Sequence, residues 1–592
     1  MSGTGFEDPL DRRIAIEARP LLRTFNAAGV LESADVHVAQ RVTALAGEVE
    51  GAAGDVVALA VALAVRALRA GSVCVDLTTV AADTGAPDLA WPDPVAWLAT
   101  LRASPLFRQP PVLRLYDGRL LYLDRYWREE EHVCTELLAL SVPTPSVDVP
   151  DYQRLFPPGY QEQRRAAEIS LSQGVTVLTG GPGTGKTTTI ARLLALLAAQ
   201  ADRSGAAGLR IALAAPTGKA AARLTEAVAA EVARLEAVDR ERLSGLQAVT
   251  LHRLLGSRPD TSVRFRHHRG NRLAYDVIVV DETSMVSLTM MARLLEAVRR
   301  DTRLILVGDA DQLTSVEAGA VLADLVDGLS ARGDVRVAAL RTSHRFGESI
   351  GALADAIRVG DADQAVALLR AGGEHLEFLE TDDPTDGLRL ALLPHALRVR
   401  EAAMLGDASA AVAELGEQRL LCAHREGPYG VRHWNRRMQH WVGTETGDPM
   451  WSPWYAGRPL LVTANDYGLR IYNGDTGVVV AGADGLRAVI AGATGPLNFS
   501  VSRIGDVETM YAMTIHKSQG SQVNEVTVLV PPHDSRLLTR ELLYTAVTRA
   551  TKRVRVVGSE ADVRAAIGRR ALRATGLRQR LRAAAPSTEV NL

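Results

Sequence analysis

Lysine is nearly missing: four lysines stand against sixty-three arginines in 592 residues. Arginine is a planar fork and lysine a compact point charge. A chain that writes almost every cation as Arg, yet keeps Lys186, Lys219, Lys517 and Lys552, needs the small ammonium at some of those places. Cysteine is scarce too. Cys74, Cys134 and Cys422 are odd in number and lack CxxC spacing, which excludes a four-cysteine zinc or iron–sulfur site within this chain and suggests a reducing compartment. Long apolar runs are absent. The longest, 56-VVALAVALAV-65, stops at Arg66 and is too short to span a bilayer, and the opening MSGTGFEDPLDRR has no signal-peptide core. The expectation is a cytoplasmic protein with no membrane partner. Neither sign of charge dominates: a formal net charge of −2 excludes a global polycation, so any nucleic-acid surface must be a local groove.

What is present divides along the chain. Domains of roughly 100–200 residues give an expectation of three or four units. Residues 1–110 are Ala-rich, with helix-like apolar spacing and no motif that carries chemistry; they read as a mainly helical domain, a partner-docking platform if the chain is a subunit or else a merely structural unit. In 111–159, the stretch 112-VLRLYDGRLLYLDRYWREEEHV-133 predicts a hairpin around Asp117-Gly118 and then a helix, and a proline-bearing linker follows. From about 160, short β runs alternate with helices: 175-VTVLT, 210-RIALAAP, 276-DVIVVDE and 303-RLILVGD. Strands buried on both faces imply a parallel doubly wound α/β sheet with ligands at the carboxyl ends of its strands. A second set reads 335-VRVAALRTSHRF, 418-QRLLCAHRE, 525-EVTVLVPP and 552-KRVRVVGS, interrupted by 457–490, whose β-branched residues and Gly/Asn/Asp turns predict an antiparallel insertion of the SH3-like type.

The segment 175-VTVLTGGPGTGKTTTIARLL-194 reads as strand, Gly-rich loop and helix. Gly180, Gly181, Pro182, Gly183, Thr184 and Gly185 would turn backbone N–H groups onto phosphate oxygens, beside the N-terminus of the helix carrying Thr188. Lys186 is expected to reach the β- and γ-phosphates of ATP, and the Thr187 hydroxyl to hold Mg²⁺. In 277-VIVVDETSMV-286 a strand delivers Asp281 to the Mg²⁺ shell and Glu282 to the attacking water. Gln312, in 304-LILVGDADQL-313, is placed to sense the γ-phosphate. Phosphoryl transfer also needs positive charge on the equatorial oxygens. Arg345 in 341-RTSHRF-346 and Arg549 in 544-YTAVTRA-550 are the candidates from the second set.

Taken in order, these segments resemble the motifs of superfamily 1 helicases. Gln163, seventeen residues before Gly180, matches the adenine-reading glutamine. APTGKAA and 250-TLHRLLG-256 match motifs Ia and Ib, VDETSMV matches II, GDADQL III, SHRF IV, 514-TIHKSQGSQ-522 V and LLYTAVTRA VI. Within that superfamily, 420-LLCAHREGPYGVRHWN-435 and 458-RPLLVTANDYGLRIYNGDTG-477 are similar in wording to the RecD family, the α subunits of RecBCD (exonuclease V) complexes.

The resemblance implies two RecA-like motor domains, at 160–340 (with a small insertion about 255–275) and 341–592 (with the SH3-like insertion about 455–508). It implies an ATP-driven motor running 5′→3′ on single-stranded DNA, opening double-strand ends in a heterotrimer with RecB-like and RecC-like subunits. Thr217, Thr250, His252, Thr514 and His516 match DNA-contacting positions, with Asn465 a further candidate; for the threonines, helix capping is the competing role. Two departures stand out. Gln522 replaces a glutamate that faces the ribose, and Thr314 replaces a proline of motif III. A nuclease of the restriction-endonuclease type needs an acid two residues before a lysine; here those residues are Thr184, Thr217, Ile515 and Ala550, so nuclease activity is expected in a partner chain. A stand-alone helicase and a docking subunit with a merely modulatory ATPase are the alternative readings.

Overall fold

A computed structural model describes residues 11–47, 51–108, 110–140, 152–203, 205, 208–258, 261–342, 348–448, 450, 452–466, 468–492, 495–571 and 573–584. The N-terminal region packs Pro20–Ala27, Ser33–Leu45 and Pro94–Ala103 around the helix Ala52–Arg69, whose residues Val57 to Ala64 are all buried. That burial explains the apolar run: the helix is central, so it is hydrophobic on nearly every face. Strands Leu113–Tyr116 and Leu120–Leu123 then form the expected hairpin. Its turn places Asp117 at φ +52° and Gly118 at φ +67°, the left-handed region that Asp and Gly tolerate best. The helix Asp124–Leu138 follows.

Two parallel sheets carry the rest. In the first the strand order is Val337–Leu340, Val175–Gly180, Arg303–Gly308, Val277–Val280, Ile211–Ala215, Ala248–Thr250. In the second it is Leu376–Glu380, Ala550–Gly558, Val523–Leu529, Gln418–Cys422, Ala512–Thr514. All ladders in both are parallel. Each sheet separates two hydrophobic clusters, as a doubly wound α/β fold requires. One strand sits differently from the sequence reading. The 335-VRVAAL run belongs to the first sheet, where Leu340 pairs with Gly180, and not to the second set. A short apolar run states that it is a strand but not which sheet edge will accept it.

Inserted into the second sheet's chain is a five-stranded antiparallel sheet built from Pro459–Val462, Thr476–Gly482, Gly485–Ile490, Leu497–Ser500 and Val507–Thr509. In the first, Ser257–Arg258 and Thr261–Phe265 pair antiparallel. Arg269, in the basic run 264–272, turns back to Glu136 of the N-terminal helix at 3.3 Å. Lys552 is exposed on the strand Ala550–Gly558.

The C-terminal helix Leu577–Ala583 returns to the start of the chain, its Leu577 and Leu581 sharing a core with Tyr122 and Val133. The buried Glu130 carboxylate accepts from Tyr122 Oη at 2.9 Å, Thr575 Oγ1 at 2.8 Å and Gly576 N at 3.0 Å, and pairs with Arg580 at 3.4 Å. Arg580 also lies 4.2 Å over the Tyr116 ring. The hairpin, the helix Asp124–Leu138 and the C-terminal segment therefore share one buried polar knot. Among the described residues no helix is long and apolar enough to cross a membrane, and no cluster of three or more His, Cys, Asp or Glu could hold a metal.

Candidate nucleotide site between two sheets

The loop after Val175–Gly180 is shaped by its neighbours. Any side chain at Gly180 would place a Cβ 2.6 Å from the Leu340 carbonyl of the adjacent strand, so the loop can start only from glycine. Gly183 and Gly185 take φ of +82° and +84°, turning the backbone inward. Lys186 begins the helix Lys186–Arg203, and its Nζ donates to the carbonyls of Gly180 (2.6 Å) and Gly181 (2.9 Å). An ammonium on a thin stem can fold back into its own loop in this way; a guanidinium fork is too broad. Thr184 Oγ1 donates to Gly181 O at 2.9 Å, and Gln163, buried, donates to Thr184 O at 3.3 Å.

Lys186 lies in a cleft of about 620 Å³ whose walls come from both sheets. Gln163, Pro182, Gly183, Gly185, Thr187, Thr188, Asp281, Glu282 and Gln312 line it from the first, and Gln522 and Arg549 from the second. Thr187 Oγ1 has no hydrogen-bond partner among the described residues and faces that space. The fully buried strand Val277–Val280 delivers Asp281 to the rim, where burial and the neighbouring Glu282 carboxylate push its carboxyl up to about 6. Glu282 sits at φ +50°, unusual for a residue with a side chain. Strain of that kind persists only where the surroundings hold it, and here it sets the direction of a carboxylate into the cleft. Arg549 is 4% exposed. It donates to Thr545 O at 3.1 Å, and burial lowers its pKa against the opposing pull of Glu282.

Several partners escaped the sequence reading. Asp309, at the end of Arg303–Gly308, accepts from Gln312 Nε2 at 2.9 Å and, across the cleft, from Tyr544 Oη at 3.2 Å. Arg223 donates to Gly520 O at 2.9 Å and to Gln522 Oε1 at 2.8 Å. The side chain expected to face a ribose is thus also tied to the opposite lobe. Leu313 joins the lobes through its backbone, accepting from Gln519 Nε2 at 2.7 Å and donating to Thr545 Oγ1 at 2.8 Å. The carboxylate in GDADQL was visible as a strand-end acid; nothing in the sequence marked one of sixty-three arginines as the bridging one. Arg345 lies outside the described residues.

The DNA candidates fall elsewhere. Thr217, Thr250 and Thr514 each follow or end a strand, and each caps the next helix, accepting from Ala220 N, Arg253 N and Lys517 N at 3.2, 3.2 and 3.3 Å. Capping is therefore their structural role. The strands ending at Thr250 and Thr514 are the edge strands of their sheets. His252 is exposed, edge-on to Phe265 at 5.9 Å, and His516 is half-buried. Asn465 Oδ1 accepts from Asn473 N at 2.9 Å. Lys219 donates to Gly474 O of the inserted sheet at 3.0 Å, and burial lowers its pKa to about 8.

Residues 163–318 match the AAA domain family, 509–557 the UvrD-like helicase C-terminal domain, and 27–120 the N-terminal domain of RecBCD enzyme subunit RecD. Over 571 residues the chain is 70% identical to RecBCD enzyme subunit RecD of Mycobacterium tuberculosis, covering 96% of this chain and 98% of that one. The chain belongs to the RecD family of superfamily 1 helicases. RecBCD enzyme subunit RecD of Mycolicibacterium smegmatis is 68% identical, with 95% of this chain and 99% of that one covered. The ATP-dependent RecD2 DNA helicase of Deinococcus radiodurans is 33% identical over 72% of this chain but only 52% of its own length. The AAA-family match implies nucleotide use, and the two-walled cleft that holds Lys186 is the candidate place for it.

Proposed function

We propose that this DNA helicase and ATPase is the 5′→3′ motor of a RecBCD-type heterotrimer. It would translocate on single-stranded DNA from double-strand ends during recombinational repair in the cytoplasm, beside RecB-like and RecC-like subunits. The polarity rests on the family resemblance. Near-complete coverage of RecD subunits, against half of the RecD2 helicase, favours the subunit over a stand-alone enzyme.

One observation carries the mechanism: Lys186, Asp281, Glu282 and Gln312 share a cleft with Gln522 and Arg549 of the other sheet. ATP held there bridges both lobes. Lys186 leaves its loop carbonyls for the β- and γ-phosphates, Glu282 orients the attacking water, Gln312 senses the γ-phosphate, and Arg549 meets the charge that develops on the equatorial oxygens. When the γ-phosphate departs, its contacts with both lobes are lost and the balance shifts from the closed cleft towards the open one.

The donor set fits Mg²⁺, which keeps most of its waters and takes one or two protein oxygens. The free Thr187 hydroxyl and Asp281 would hold it, and when bound it neutralises charge shared by the β- and γ-phosphates. DNA would lie across the strand ends at Thr217, Thr250 and Thr514, the last two on edge strands, with His252, His516 and Asn465 alongside. A capping hydroxyl accepts from an amide yet keeps its own O–H to donate to a phosphate, without reading sequence.

Lys186→Gln tests the assignment. DNA-stimulated ATP hydrolysis and unwinding should vanish together while nucleotide-free DNA binding persists; retained hydrolysis would sink it. Displacement of streptavidin from 5′- and 3′-biotinylated oligonucleotides decides polarity.

A further inference from the structure

The stretch 424-HREGPYGVRHWN-435 has no part in the ATP site, and the structure gives it a place. After Gln418–Cys422 the chain turns into the helix Val431–Thr446. Asn435 fixes that helix to the inserted sheet and to the edge strand, donating to Thr509 O and accepting from Ala512 N, both at 2.8 Å. Between helix and strand runs a groove of about 400 Å³ lined by Arg425, Arg432, Arg436 and Arg458, with Glu508 as its one acid. Arg432 and Arg436, one helical turn apart, are exposed on the same face. Arg432 pairs with the exposed Glu426 at 2.6 Å, whereas Arg436 has no ion-pair partner among the described residues.

Glu508 is held from both ends of the groove. Arg425 reaches one oxygen at 3.1 Å, and Lys517, three residues after Thr514, lies 3.6 Å from the other. Even with Glu426 counted, the four guanidinium groups outnumber the carboxylates and leave an excess of positive charge in a concave, solvent-open site. That excess suits a row of phosphates rather than a neutral or cationic ligand. The groove is tied to motif V through Glu508, whose partner Lys517 lies in the same short segment as Thr514.

We infer that the groove between Val431–Thr446 and Val507–Thr509 binds the phosphate backbone of single-stranded DNA, extending the path past Thr514, with Glu508 holding Arg425 and Lys517 in place until phosphate replaces it. This rests on the DNA path proposed above.

The test titrates the full-length chain with oligodeoxythymidine across a salt series. Arg432→Ala/Arg436→Ala removes two phosphate-binding guanidinium groups. It should lower the slope of log affinity against log salt by about 1.4, at about 0.7 per neutralised phosphate on a single strand. Glu508→Gln should move the other way and bind several-fold tighter, a gain that misfolding cannot mimic. Wild-type slope and affinity in both variants would overturn the inference. If Thr250→Ala/Thr514→Ala weakens binding while both groove variants equal wild type, only the extension fails. If wild type itself does not bind the oligonucleotide, the underlying path fails.

Discussion

Arg223 and Gln522 meet across the interlobe cleft, guanidinium Nη2 to amide oxygen at 2.8 Å, although 299 residues of chain separate them. The same guanidinium holds the Gly520 carbonyl at 2.9 Å, so one side chain of the first lobe grips two residues of motif V. A charged donor on a neutral acceptor is worth roughly 1.5–3 kcal/mol when partly buried. Arg223→Ala and Gln522→Ala should each raise the KM for ATP by about 10–150-fold, and the double variant should add little beyond either. Additive effects in a double-mutant cycle would show that the pair does not act as one contact. Gln522→Glu turns the neutral acceptor into a carboxylate and should lower the KM by strengthening the bridge.

Arg549 is buried at the cleft, where Thr545 O holds its guanidinium through Nε. Arg549→Ala should lower kcat about 10³-fold or more with a much smaller change in nucleotide affinity. Arg549→Lys should rescue little, because a point charge does not span two phosphoryl oxygens. Single-turnover hydrolysis alongside nucleotide binding separates the two effects; a defect confined to binding would refute the assignment.

Gly218 opens the helix Gly218–Ala233 under the ring of Tyr472, which a Cβ would approach to 2.7 Å. At the first helical position Gly218→Ala gains less than the roughly 1 kcal/mol of helix propensity that an interior site gives. It must also push the inserted sheet away from Lys219 and Thr217. The expected variant melts at or somewhat below the wild-type temperature and binds single-stranded DNA several-fold more weakly. Unchanged DNA affinity, read by fluorescence anisotropy, would show that the strand does not pass this contact.

Asp324 is 1% exposed, Arg578 lies 3.6 Å from it, and burial beside Glu130 outweighs the pull of Arg578 and Thr575 and raises its carboxyl to about 8. A folded-state pKa above the unfolded value means the native state binds the extra proton. This group's contribution to stability is therefore complete below pH 4 and declines as pH rises toward 8. Asp324→Asn keeps the neutral form at every pH. It should flatten that decline and raise the melting temperature more at pH 8 than at pH 5, by up to about a few kcal/mol in stability. Parallel pH curves for variant and wild type would contradict the buried-acid account.

The Gly-rich loop, the acids at the end of the VIVV run, the Asp-Gly hairpin and the alternation of β run and helix were all legible in the sequence. Each is a local pattern: a loop that must turn its amides inward needs glycines in consecutive order, and a hairpin with positive φ needs Asp-Gly. The threonines of motifs Ia, Ib and V were legible as positions but not in their role, because capping and phosphate binding call for the same hydroxyl.

Tertiary structure alone decided which sheet the 335-VRVAAL run joined, which arginine spans the cleft, and how Leu313 couples the lobes. It also decided that Glu130 and Arg580, 450 residues apart, close the N-terminal hairpin onto the C-terminus. The reason is physical. Local chain chemistry fixes what a segment can become, whereas the choice among sixty-three equivalent guanidinium groups depends on which carbonyl or carboxylate the fold brings within hydrogen-bond reach.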